Sequence, residues 1–157
     1  MNNLILSLVA GLGATLAIGV LSYAEVSLTE VVLLMAPFGA TAVLVFGVPS
    51  SPLAQPKNVI IGHFITASIG IAFSQYVEIT PITLAIATGL GVSAMLITKT
   101  THPPAGANPI LIMASGQGWS FLFTPVLIGA VVIVLVGKAL QLLQSQHLNP
   151  RLNGQKT

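Results

Sequence analysis

The chain of 157 residues has no cysteine, no aspartate and little charge of either sign. Without cysteine there is no disulfide, no thiolate metal site and no thiol nucleophile, and the redox compartment is left open. Charged residues make up 5% of the chain, against roughly 25% in a soluble domain that must keep its surface wet. Five cations and three carboxylates, Glu25, Glu30 and Glu78, build no basic stripe able to grip phosphates, so nucleic acid is not an expected partner despite an isoelectric point of 9.3. The chain also lacks a Walker or dinucleotide glycine loop and any carboxylate inside an apolar run. An enzyme is therefore disfavoured, and no catalytic residue, cofactor or metal ligand is assigned.

What is present is hydrocarbon: 54% of the residues are apolar and the mean hydropathy is +0.96. Runs nearly free of charge cover residues 4–21, 31–48, 59–77, 81–98 and 121–137. Each is close to the ~20 residues that cross a hydrocarbon core. The first has no cationic stretch before it and no small-residue cleavage site near Ser22-Tyr23-Ala24, so it reads as a retained span. A sixth candidate, residues 103–116, is too short for a full helical crossing.

Connector charges decide between five and six segments. With the N-terminus cytoplasmic and six crossings, Lys57, Lys99, Lys138, Arg151 and Lys156 lie inside, and Glu25, Glu30 and Glu78 lie outside. Tyr23, Tyr76 and Trp119 then gather at the outer interface. The expected architecture is an all-α polytopic membrane bundle, one transmembrane domain over residues 1–147 with a polar cytoplasmic tail at 148–157. His147 is read as solvated there and Lys138 as snorkelling to the headgroups.

Helix breakers interrupt this hydrocarbon twice. Pro37-Phe38-Gly39-Ala40-Thr41-Ala42 and Pro104-Ala105-Gly106-Ala107-Asn108-Pro109 share a Pro-x-Gly-Ala pattern, and each follows one span and precedes another. The chain thus divides into halves, 1–78 and 79–147, as a 3+3 inverted repeat with two broken helices meeting at mid-depth. Residues 31–36 and 37–48 are expected to form one broken helical pair, with Gly39 allowing close backbone approach. His102-Pro103 is expected to be extended, with helix resuming near Pro104. Two plainer explanations stand beside this: the prolines as kinks, and the small residues as packing contacts between helices.

Two buried helix starts would turn free amides and positive dipole ends toward a common cavity. The expected binding set is Pro37, Gly39, Ala40, Thr41, His102, Pro103, Pro104, Gly106, Ala107 and Asn108, a cradle for a small anion that Val at Gly39 or Gly106 would close. His63, one turn inside its span, is a candidate for gating or proton coupling and equally for a hydrogen-bonded structural role, with Lys57, Asn58 and Lys99 flanking the inner entrance.

These residues also carry a resemblance. Residues 37–46, the stretch Ser51-Pro52-Leu53-Ala54-Gln55-Pro56-Lys57-Asn58-Val59-Ile60-Ile61-Gly62-His63 and the block His102-Pro103-Pro104-Ala105-Gly106-Ala107 resemble, in order, the hallmark blocks of the HPP family of integral membrane proteins. Similar members in cyanobacteria and chloroplasts are associated with nitrite transport. The resemblance implies a nitrite carrier or channel in a bacterial, cyanobacterial-type plasma membrane; the charge pattern puts both termini in the cytoplasm. The family is usually described with four spans, whereas the charge pattern gives six. A homo-oligomer is expected from the small size of the bundle. The alternatives are a non-transporting sensor or assembly module, and a carrier of another small solute.

Overall fold

The computed structural model of the chain describes residues 3–28 and 31–148, and every regular element in them is helical. Glu30, Arg151, Lys156 and most of the tail at 148–157 lie outside the described residues. Three stretches are long and apolar enough to cross a membrane: Asn3–Ser27 (α1), Pro56–Tyr76 (α3) and Leu122–Ser145. Pro81–Ile97 (α4) and Pro37–Gly47 are apolar but shorter. Large apolar side chains such as Leu12, Ile97 and Leu135 lie exposed, the surface expected of an integral membrane protein.

Proline opens most of the helices, because its fixed φ suits the first turn and its missing N–H has no partner there. Pro37, Pro56 and Pro81 begin α2 (Pro37–Ala42), α3 and α4, and Pro52 and Pro103 begin single 3-10 turns. Thr80 adds a reciprocal capping box with Thr83 at the start of α4. α2 continues into a π-turn over Val43–Gly47. The short α5, Asn108–Ser115, ends at Gly116, whose φ of 65° is the left-handed cap that glycine supplies without a Cβ clash. Beyond it Leu122–Leu127 is kinked at Thr124, and α6 covers Ile128–Leu148.

Residues 31–35 differ from expectation: they are not helical, and α2 begins only after a turn at Ala36. Glu25 explains this. Its Oε2 accepts both the Leu33 and the Leu34 amide at 2.8 Å, so neither N–H is available to a helical carbonyl. Leu33 and Met35 are buried in the core while Val32 and Ala36 are exposed. A carboxylate at the end of α1 thereby solves the backbone problem of a non-helical segment next to lipid.

α3 is the central element, packed on α4, α5, the kinked stretch and α6. At Gly70 a Cβ would stand 2.8 Å from Pro109 Cα, so α5 approaches α3 closely enough that only glycine fits. Phe38, Ile71, Ile112, Val126 and Ile133 are fully buried in the hydrophobic core.

Glu25→Ala leaves two partly buried amides without an acceptor and is expected to lower stability by about 1–3 kcal/mol. Thermal unfolding in detergent checks it, with Glu78→Ala, an exposed position, leaving the midpoint unchanged.

Candidate functional site

Six polar residues are buried in the described chain: Thr41, His63, Thr66, Thr100, His102 and Asn108. Four of them are predicted site or coupling residues, and the fold brings those four together. Thr41 comes from α2, His63 from α3, Asn108 from the first turn of α5, and His102 from the extended residue ahead of the Pro103 turn. The Thr41 hydroxyl lies 2.8 Å from His63 Nε2 and 2.9 Å from His102 Nε2, bridging the two imidazoles. His102 Nδ1 is 2.8 Å from the Leu53 carbonyl. Asn108 Nδ2 is 3.1 Å from His63 Nδ1, and it donates to the His63 carbonyl at 3.1 Å and to Thr66 Oγ1 at 3.0 Å. Asn108 Oδ1 is buried with no partner.

Rings complete the packing. Phe38 meets His63 edge to face at 5.4 Å, and His63 meets His102 in the same manner at 5.0 Å. Gly62, one residue before His63, lets the 98–102 segment pass close: a Cβ there would sit 2.9 Å from the Thr100 carbonyl and 3.1 Å from His102 Cβ.

The remaining predicted residues are placed elsewhere. Pro37, Ala40, Pro103, Pro104 and Ala107 line a cleft of about 800 Å³ between α2 and α5, together with Ala36 and other apolar side chains. Gly39 faces a different cleft of about 640 Å³, against α1 residues Leu6 and Ala10. Gly106 meets open space. Lys57 and Lys99 are exposed, and Asn58 donates to the carbonyls of Pro52 at 3.0 Å and Thr101 at 3.2 Å. Asn58 ties the start of α3 to the segment before His102.

Two expectations are corrected here. The amides expected at the cradle's two ends are engaged: Gly39 N–H already bonds Ala36 O at 3.1 Å, and Asn108 N–H bonds Ala105 O. The 3-10 turns that open both short helices use up their own orphan donors. Nor does Gly39 give close backbone approach, since a Cβ there would touch nothing within 4 Å. What is left to receive a ligand is side-chain chemistry: one hydroxyl, two imidazoles and a carboxamide.

Comparison with known proteins adds one firm assignment. The transmembrane-region model of the HPP family matches residues 2–150. The chain belongs to the HPP family. It is 36% identical over 128 residues to one transmembrane protein of Dictyostelium discoideum and 35% identical over 128 residues to another. Each match covers 76% of this chain but only 45% and 41% of those proteins, so the chain spans less than half of their length. No solved structure matches it. In this HPP chain the naming triplet is split in use: His102 enters the polar cluster, while Pro103 and Pro104 open the adjoining turn and line the apolar cleft.

Thr66 and the Leu53 carbonyl were missed by sequence reasoning. Thr66 was findable, three residues after His63 and so on the same helical face. A backbone acceptor from a 3-10 turn leaves no trace in the sequence. Overpacking separates the two kinds of glycine: Gly62→Ala and Gly70→Ala are expected to cost about 1–3 kcal/mol, whereas Gly39→Ala and Gly106→Ala fold normally. Unfolding midpoints of the four variants check this.

Proposed function

We propose that this HPP protein transports a small inorganic anion, with nitrite as the first candidate, through the junction where α2, α3 and α5 meet. The observation that carries the reading is the cluster of Thr41, His63, His102 and Asn108, fully buried in an apolar body beside two interrupted segments. Ionisable residues buried within membrane segments, such as these two histidines, are costly and are read as functional-site candidates. No carboxylate is buried among the described residues, so nothing there repels an anion. The closed cluster is then an occluded state, opened when the halves rock.

The order of elements supports a 3+3 inverted repeat and six crossings. An apolar helix, a non-helical stretch, a short helix and a long helix occur twice, with α4 shorter than α1. The end of α5 is tied to the end of α3 where Gln75 Nε2 donates to Gln117 O at 3.2 Å and Trp119 Nε1 donates to Tyr76 Oη at 3.2 Å. α2 runs the other way, leading through Pro52–Ala54 to the start of α3 and Lys57. Lys57 and Lys99 thus share one face, linked by Asn58, and the positive-inside rule makes that face cytoplasmic, with both termini. In this reading the protein sits in a bacterial plasma membrane as a homo-oligomer and carries out no chemical reaction.

Complete burial of the cluster favours a second reading, a sensor or assembly module in which the network is a packing device. Flux separates the two. Proteoliposomes are expected to take up nitrite faster than protein-free vesicles, with nitrate, formate and chloride competing to different degrees. Thr41→Val and Asn108→Leu should cut the rate at least tenfold while each variant still reconstitutes; unaltered flux in both would move the pathway elsewhere, and no flux in the parent protein would favour the module.

A further inference from the structure

The polar cluster dictates where its own protons sit. A carbonyl only accepts, so His102 Nδ1, 2.8 Å from Leu53 O, carries hydrogen, and in the neutral ring Nε2 is then an acceptor. At the other end, Asn108 Nδ2 faces the His63 carbonyl and Thr66 Oγ1, whose own proton goes to Gly62 O at 2.9 Å. Turning the carboxamide over would set Oδ1 against a carbonyl oxygen, so the NH2 keeps its place. His63 Nδ1 faces that NH2, which offers no acceptor for a hydrogen on the ring, and this puts the His63 hydrogen on Nε2. These assignments follow from the partners. The two imidazoles are therefore opposite tautomers, and Thr41 accepts from His63 and donates to His102.

Opposite tautomers have unequal room for an added proton. On His63 the only free position is Nδ1, which meets the Asn108 NH2 head on. On His102 the free position is Nε2, and Thr41 has a second acceptor ready, Pro37 O at 3.2 Å. When Nε2 is protonated the hydroxyl turns its hydrogen to Pro37 O and accepts from both rings; no heavy atom moves and no donor is left over. We propose that His102 Nε2 is the proton-binding atom of this site, and that the protein moves a small monovalent anion of a weak acid together with that proton as a neutral pair. This rests on the transport reading above.

Charge balance is the reason for the pairing. α2, α4, α5 and the kinked stretch Leu122–Leu127 contain no ionisable side chain, and Lys57 on α3 and Lys99 in the connecting segment are exposed, as is Lys138 on α6. Glu25 is engaged with the Leu33 and Leu34 amides, Glu78 is exposed, and Tyr76 at the end of α3 is exposed. Within the cluster the two imidazoles face only each other and neutral groups. An imidazolium alone in such a place is costly, and a monoanion beside it cancels the charge. One proton and one anion enter from water on the open side; both leave on the other, and His102 returns to its neutral Nδ1–H form.

Two measurements test this. Solid-state NMR of the protein with 15N-labelled histidine in lipid at neutral pH should find His63 protonated at Nε2 and His102 at Nδ1, with acidification protonating His102 Nε2 first. The same tautomer on both rings, or His63 taking the proton first, overturns the assignment. In vesicles loaded with a pH-sensitive dye, added sodium nitrite should carry in protons one for one beyond the protein-free background, driven by a pH gradient and not by an imposed membrane potential. In His102→Gln the proton signal and the pH dependence should both vanish. Nitrite entry driven by potential without protons, or a persisting pH dependence in His102→Gln, overturns the coupling while leaving transport standing. No nitrite entry at all overturns the transport reading and the coupling with it.

Discussion

One threonine hydroxyl, held between two imidazoles, joins the parts of this molecule that sequence distance keeps apart. Thr41 reaches His63 and His102 at once, and through them α2 is tied to α3 and to the turn that opens α5. In water such bonds exchange with solvent and add little; in a hydrocarbon body an unpaired imidazole or hydroxyl costs several kcal/mol. The three elements are thus constrained to one arrangement by the penalty for any other. The same low dielectric that makes the cluster a clamp makes it a place where a proton or an anion is strongly felt.

Everything around the cluster serves to bring backbone that is not α-helical into an apolar body. Glu25 supplies the acceptor that residues 31–36 lack. The 3-10 turns behind Pro103 and before Phe38 satisfy their own first amides. Gly62 and Gly70 remove the two Cβ atoms that would hold the 98–102 segment and α5 away from α3. These devices have a cost in packing volume and conformational entropy, and a helix of ordinary length would have avoided it. Their presence in two places fits a protein whose interruptions have a use, in keeping with its HPP membership.

Much of this was legible in the sequence. The apolar runs, the two proline breaks, the extended backbone at His102 and the polar character of Thr41, His102 and Asn108 at those breaks follow from composition and from where polar residues interrupt hydrocarbon, whereas the place of His63 beside them does not. The local readings that failed share a cause. The conformation of residues 31–36 depends on a carboxylate eight and nine positions away, and helix periodicity carries no information about it. Gly39 and Gly106 look like amide donors in a motif, but which way a two-turn helix faces is set by the partners that pack on it. The Leu53 carbonyl, which fixes the His102 ring, is backbone and so invisible in a residue pattern.

Function in this account is a property of the junction and not of either motif alone: two short helices running to opposite faces leave between them a buried polar cluster and, beside it, an apolar cleft. The most direct test is an experimental structure at high resolution of the lipid-embedded protein soaked with sodium nitrite at mildly acidic pH. The account predicts density for the anion within hydrogen-bonding distance of Thr41 Oγ1 and His102 Nε2, with the Thr41 contact to one imidazole opened to admit it. An unchanged cluster, with the anion bound at another place or nowhere while transport proceeds, would contradict it.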